Sequence, residues 1–314
     1  NSFKKLKIKI ITMKKIITTV ITVAFAGSTM AQTSTPVDTS WKKGGMGSIN
    51  FNQVALSNWA AGGENSISGA AFLTLFANYA KDRLAWDNQL DLAYGLLKSG
   101  DAKVRKNEDK IDLNSKLGYK MSHDSKFYYT FLFNFKSQFA NGYDYKNDTL
   151  LKYPISKFLA PGYLLYSIGI DYKPNDAFSL YLSPLTGRTI IVNDDMLSQA
   201  GAFGVDPGKK SLTQLGAYLR AMYKKDVFTN VNFQTKLELF SNYLDNPQNI
   251  AVNHEILIAM KVNKYITANI GTQMIYDDII PVTVIKEKSG VKEAKTGPRL
   301  QFKEVFGIGL SYKF

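Results

Sequence analysis

The chain has no cysteine in 314 residues. That excludes a disulfide scaffold and any thiolate-held metal centre. Histidine is nearly absent too, with only His123 and His254. Long apolar runs are missing: the most apolar stretch, Ile16–Phe25, is too short to cross a bilayer as a helix. Mean hydropathy is slightly negative, so nothing marks a helical membrane protein. A β-barrel escapes that measure, because its apolar residues are interleaved with polar ones. The formal charge is +13, but no nucleic-acid module accompanies it, and nucleic acid is not an expected partner.

What the chain does have is alternation, clearest at its end. In Arg299–Phe314, Leu300, Phe302, Phe306, Ile308, Leu310, Tyr312 and Phe314 share one parity, while Gln301, Lys303, Gly307, Gly309, Ser311 and Lys313 share the other. Side chains of a strand alternate between faces, so one face is apolar and the other small or polar. Glu304 is the only charge on the apolar face. Lipid on one side and a lumen on the other produce this pattern. Phe306, Ile308, Leu310, Tyr312 and the terminal Phe314 resemble the C-terminal assembly signal of bacterial outer-membrane proteins.

The same pattern recurs upstream. The first strand is expected over Ser48–Leu56, with a bulge near Asn52–Gln53 to reconcile Ile49 and Phe51 with Val54 and Leu56. Apolar rows then run over Ile67–Tyr79, Leu84–Leu96, Ile111–Met121, Phe127–Phe139, Leu164–Tyr172, Phe178–Leu182, Leu215–Tyr223, Val231–Tyr243, Val252–Val262 and Ile266–Tyr276. With the closing strand they make twelve. Connections after even-numbered strands are short. Most others are long, including a charged loop over Lys98–Asp109 and loops over Asn141–Pro161, Asn193–Lys210 and Asp277–Pro298. The expected fold is therefore all-β: a transmembrane antiparallel up-and-down β-barrel of about 12 strands with short periplasmic turns and long extracellular loops. Tyr79, Trp86, Tyr119, Phe127, Tyr172, Phe178, Tyr223, Phe228, Tyr265, Tyr312 and Phe314 gather at the short-turn end as an aromatic girdle. A soluble sandwich or lipocalin-like barrel is the rival, but six long hairpins exceed its apolar interior.

Three segments are expected. Residues 1–31 comprise an upstream piece and a cleavable signal peptide starting at Met13, with Lys14 and Lys15, the apolar Ile16–Phe25 and the small-residue site Thr29-Met30-Ala31. Residues 32–43 form a periplasmic tail and 44–314 the barrel. Cleavage removes six lysines and no acid, which lowers +13 to +7.

Inward parity collects Asp87, Asp91, Asp112, Lys116, Lys120, Lys136, Asp171, Arg220, Lys236, Glu238, Glu255 and Lys261. Buried charges of mixed sign pair, so these either interlock as a plug or line a narrow selective path. Inward Phe72, Phe76, Tyr128, Tyr218 and Phe240 favour the plug. Asn193–Lys210 is long enough to fold inward as a constriction. His123-Asp124-Ser125 has the His-x-Ser spacing of outer-membrane phospholipases but falls in a short turn. His254 takes lipid-facing parity. Asp194-Asp195 and Asp277-Asp278 read as solvated loop acids. No catalytic, cofactor or metal site is expected, and no enzymatic activity.

Three stretches carry a resemblance: Asn58–Ser66 (N-W-A-A-G-G-E-N-S), Trp41–Gly45 (W-K-K-G-G) and Leu182–Thr186 (L-S-P-L-T). With the C-terminal strand, the chain resembles an uncharacterised Bacteroidota outer-membrane β-barrel family, a domain of unknown function. The resemblance implies a Gram-negative outer membrane and brings no functional residues. The expected role is a structural or accessory subunit of an envelope assembly, in contact with lipid, with the outer-membrane assembly machinery during insertion and with envelope proteins through its loops. The alternative is a narrow channel or transporter for small solutes, or for hydrophobic ones leaving laterally near strand one.

Overall fold

A computed structural model describes residues 40–55, 64–145, 153–288 and 291–314, with side chains described outside 283–294. The expected signal peptide, its start at Met13, most of the tail and Asn58–Gly63 lie outside the described residues.

Twelve strands close into one antiparallel ring. They are β1 (Trp41–Val54), β2 (Ser66–Lys81), β3 (Leu84–Ser99), β4 (Arg105–Lys120), β5 (Phe127–Ser137), β6 (Gly162–Asn175), β7 (Phe178–Ile191), β8 (Ser211–Phe228), β9 (Val231–Asn242), β10 (Ile250–Lys261), β11 (Ile266–Tyr276) and β14 (Gln301–Lys313). Each pairs with its chain neighbours, and β14 returns to β1. The intervening β12 (Val282–Lys288) and β13 (Val291–Gly297) form a separate hairpin, where the sequence pattern shows only loop. Short links after β2, β4, β6, β8 and β10 share the end at which β1 begins and β14 finishes. The remaining links, most of them longer, occupy the other end.

Parity holds as expected around most of the ring. Outward Phe131, Ile168, Leu182, Phe302, Leu310 and Tyr312 are exposed, which leaves an apolar outer wall. At the short-turn end the Trp41 ring packs at a tilt against Tyr79 and Trp86, while Phe127 stacks with Tyr172 and Tyr312 with Phe314. Arg83 and Lys264 cover the rings of Tyr119 and Tyr265. One aromatic band therefore rims this end.

Three expectations are corrected. β1 starts at Trp41 and pairs with β2 in unbroken register to Val54↔Ser66, so there is no bulge at Asn52–Gln53 and the tail ends before Trp41. Val54 simply shares the lumen parity of Asn50. Second, β3 and β4 extend through most of Lys98–Asp109, because backbone pairing continues under charged side chains, and the loop shrinks to 100–104. A bulge does interrupt this pair, between Gly95 and Leu96 on β3 and opposite Asn107 on β4. Third, β7 has its own bulge at Ser183–Thr186, seen in its ladders with both β6 and β8.

The β7 bulge is the L-S-P-L-T stretch. Pro184 cannot donate to a ladder, and a bulge is one of the few places within a sheet that accepts it. The fully buried Ser183 hydroxyl donates to the Ile168 carbonyl at 2.8 Å and accepts from the Thr186 hydroxyl at 2.9 Å. Below the bulge, even-numbered residues of β7 face outward. Above it they face the lumen. Ser183→Ala leaves buried Thr186 without its acceptor and is expected to cost about 1–3 kcal/mol. Urea unfolding in lipid vesicles measures this, and Ser183→Ala/Thr186→Val should cost less than the two single changes added together.

Candidate functional site

The lumen is filled by interlocking side chains. Nearest the short-turn end, Lys116 (β4) meets Asp171 (β6) at 2.7 Å, Lys173 (β6) meets Asp87 (β3) at 2.8 Å, and Ser179 donates to Asp171 at 2.7 Å. In the middle, Glu238 (β9) takes Lys136 (β5) at 2.9 Å, the Tyr218 hydroxyl at 2.7 Å and the Asn253 amide at 2.7 Å. Lys236 meets Glu255 at 2.9 Å, Asn134 donates to Asp112 at 2.7 Å, and Arg220 (β8) donates to Asn114 (β4) at 2.9 Å. Leu132, Tyr181, Tyr218, Phe240 and Ala251 fill the space between these charges. Towards the loop end, Arg188 binds Asp277 at 2.8 Å and Gln214 at 2.7 Å, and stacks over Phe240.

These contacts cross the ring. Lys110 on the fourth strand lies 3.8 Å from Glu255 on the tenth, diametrically opposite in a ring of twelve. Strand spacing of ~4.8 Å and a tilt of ~40° give a circular barrel of twelve strands a wall-to-wall distance of about 24 Å. Extended Lys and Glu side chains in contact span at most roughly 15 Å between their Cα atoms. The β4–β5 wall is therefore drawn towards the β8–β10 wall, and the cross-section is pinched. The pinch separates a filled lobe around β6 and β7 from a lobe around β14, β1 and β2. Inward positions in the second lobe mix small residues, Ser48, Ser68, Ala70, Gly307 and Gly309, with Phe72, Phe76 and Lys303, whose ammonium pairs with Glu108.

The mouth above the filled lobe is capped. Ile190 and Val192 on β7 and its extension pack with Leu197, Val205 and Ala160, and Tyr163, Leu212, Phe203 and Ile279 press on the same cluster. Leu197 belongs to a short helix, α1 (Asp195–Gln199), within the loop expected to fold inward. Asp194 caps α1 by accepting from the Leu197 N–H at 3.0 Å, and Lys157 of the neighbouring loop binds the same carboxylate. The Lys157 hydrogen bond, then the Leu197 amide, hold the Asp194 carboxyl below its ordinary value.

Comparison with known proteins gives few leads. A family model described as "Protein of unknown function (DUF3078)" matches residues 51–143. No curated protein sequence matches the chain. Among solved structures, the COG4313 outer membrane channel from Pseudomonas putida F1 is similar at 15% identity and a TM-score of 0.37, covering 89% of this chain and 98% of that one. The NanC porin is similar at 9% identity and 0.34, covering 86% and 100%. Salmonella typhi OmpF in complex with daunomycin follows at 10% and 0.29, covering 87% and 97%.

Most lumen charges expected from parity join the lattice. Asp91 joins through Thr74 and Gln89. Lys120 and Lys261 do not join it. Lys120 lies at the turn end over the Tyr128 ring, and Lys261 is exposed beside the next turn. Parity missed Lys110, Lys173, Arg188 and Asp277. Lys110 and Lys173 fall one residue beyond the apolar rows of their strands, although their own parity points inward. Arg188 has the lipid-facing parity of lower β7, and the bulge turns it inward. Asp277 is buried against Arg188 rather than solvated, which a loop position does not reveal. His254 bonds across to Thr235 at 2.9 Å on the outer face, and His123 sits in a turn.

Glu238→Leu strands Lys136 in the lumen, takes this acceptor from the Tyr218 hydroxyl and the Asn253 amide, and is expected to destabilise the barrel by about 3–5 kcal/mol in urea unfolding. The cap responds to acid. A carboxyl lowered on folding contributes stability that is complete above its unfolded value and is lost as pH falls through the folded one. Wild-type loop 192–210 should resist proteolysis until pH drops below about 4. Asp194→Ala should be nicked there already at neutral pH.

Proposed function

We propose that the chain is a non-enzymatic outer-membrane β-barrel whose lumen is closed, and that it serves as a structural or accessory subunit anchoring other envelope proteins through its loops. The observation that carries this reading is the ion-pair lattice joining opposite walls, from Lys110–Glu255 to Lys136–Glu238. A diffusion pore needs a continuous water column, and the lattice and the loop cap stand across the path through the β6–β7 lobe. The apolar outer wall and the aromatic band support membrane insertion with lipid as the immediate partner. On this reading the short turns and the band face the periplasm, and the long loops with the β12–β13 hairpin face outward.

Export by the Met13–Ala31 segment, a Bacteroidota envelope and recognition of Phe306, Ile308, Leu310, Tyr312 and Phe314 by the insertion machinery complete the proposal. Those five side chains all project outward from β14, where such machinery has access to them.

Conductance in a planar bilayer tests the closed lumen. The barrel should pass no steady current while a heat-modifiable gel shift shows it folded. Stepwise current would instead favour the narrow channel, with Asp112, Lys116, Lys136 and Arg220 as its selectivity groups. Extraction in mild detergent tests the accessory role, which predicts envelope proteins co-purifying with the barrel. Recovery of the barrel alone counts against it.

A further inference from the structure

The ring closes where its first and last strands meet, and this ladder is the shortest in the barrel. β1 and β14 share six pairs, Met46–Phe51 against Ile308–Lys313. At the turn end Gly45 and Phe314 exchange both backbone bonds, at 2.9 and 3.1 Å. In an antiparallel ladder such exchanging pairs recur at every second residue. The even-numbered residues of β14 therefore turn their N–H and C=O towards β1. The odd-numbered ones turn theirs towards β11, as the Ser311 N–H does in donating to the Tyr265 carbonyl at 2.7 Å. Above Ile308, β14 keeps β11 as far as Gln301 but parts from β1, which follows β2 to Val54. The backbone groups that Phe306, Glu304 and Phe302 turn to that side meet no partner among the described residues.

A strand rise of ~3.4 Å and a tilt of ~40° place Phe306, Glu304 and Phe302 roughly 16, 21 and 26 Å above Tyr312 of the aromatic band. The lipid-facing band of such a barrel is about 25 Å tall. Two of the three residues therefore lie within hydrocarbon and the third at its outer boundary. Each backbone group left bare there costs several kcal/mol, and lipid tails cannot pair it. A small cleft opens beside this edge, lined by Asn52, Ser68, Phe72, Val305 and Phe306 among others. The edge also carries a charge. Glu304 is exposed on the lipid face between Phe302 and Phe306, next to Thr272 of β11, and no described cation pairs with it. Its neighbour Lys303 points into the lumen and is held by Glu108 at 2.7 Å. An ionisable side chain at this depth is costly and calls for a partner of opposite charge.

We propose that the outer half of β14 receives an added strand from a partner protein: an extended segment, apolar at alternate positions, with one lysine or arginine in its apolar row. Its backbone pairs with Phe302, Glu304 and Phe306. Its apolar row continues the lipid-facing wall, and its cation sits beside the Glu304 carboxylate. In such an addition main-chain bonds supply affinity and the alternate side chains supply specificity. The inference deepens the accessory role and rests on it for the partner, whereas the open edge rests on membrane insertion alone. The gel shift reports failure of the barrel reading, and co-purification reports the accessory role, each separately from the site.

The test uses protein purified from membranes after expression of the full chain and placed in phosphatidylcholine vesicles. The probe is a capped nine-residue peptide of alternating valine and threonine, with lysine replacing the central valine and a benzophenone at one end. Photolysis should place adducts on Asn52–Val54 and Gln301–Gly307. The same peptide methylated on every backbone nitrogen has no N–H to donate to a strand edge and should not label. Glutamine in place of its lysine should lower labelling about tenfold, the loss of one charge-assisted contact. In Glu304→Gln the lysine and glutamine peptides should label alike, and in Glu304→Lys a glutamate peptide should label best. Both variants should keep the gel shift; if Glu304→Lys fails to fold, Glu304→Gln decides alone. A Glu304 that merely wets the surface would leave the preference for lysine unchanged. Adducts spread around the ring, equal labelling by the methylated peptide, or an undiminished lysine preference in folded Glu304→Gln would each overturn the proposal. Barrel-to-barrel adducts from benzoylphenylalanine in place of Phe306, formed without peptide, would overturn it too and give the edge to a second copy.

Discussion

Backbone amides in hydrocarbon have no water to turn to, and each one left unpaired there costs several kcal/mol. A sheet escapes this only by closing on itself. Everything in this chain follows from that closure: the even number of strands, the strict alternation of side chains, and the meeting of β1 with β14 at the end of a long sequence separation. The closing junction is also where the constraint is least well met, since β1 and β14 share the fewest pairs around the ring.

Closure creates a second demand. A ring of twelve strands encloses more space than single side chains fill from one wall, yet less than an open porin. Long charged side chains meet this demand in pairs. Lys116 with Asp171, Lys136 with Glu238 and Lys110 with Glu255 reach between strands that are not neighbours. Such pairs gain little over apolar filling, because the desolvation of both partners offsets their attraction. Their value lies in geometry. Each pair fixes the distance between two walls, and together they draw the cross-section into two unequal lobes.

The architecture was legible because period-two alternation survives averaging over many strands. The aromatic row Phe127–Phe135 and the C-terminal strand are unambiguous in it. Lumen charges such as Glu238 and Asp171 could be assigned by parity alone. Errors arose where parity is interrupted or carries no information. A bulge was inferred in β1 from Val54, which merely faces the lumen, while the real bulge in β7 hid Arg188. The β12–β13 hairpin stands apart from the ring, where the barrel's alternation gives no guide. Asp277 is recruited by an arginine far away in sequence.

The β7 bulge has a consequence for how the sequence can change. Two reading frames of side-chain direction coexist in one strand, joined at Ser183–Thr186. The lower frame addresses lipid with Phe178, Leu180 and Leu182. The upper frame addresses the lumen with Arg188 and Ile190. Loss of the single extra residue at the junction would let β7 run beside β6 and β8 without a bulge and leave Arg188 and Ile190 facing the lumen. Loss of two would leave the strand one residue short of its neighbours and turn the upper frame over, sending a guanidinium into hydrocarbon and dismantling the cap. Among descendants of such a sequence, β7 should therefore tolerate one residue fewer at this junction but not two, whereas the loop above it is free to vary by any number.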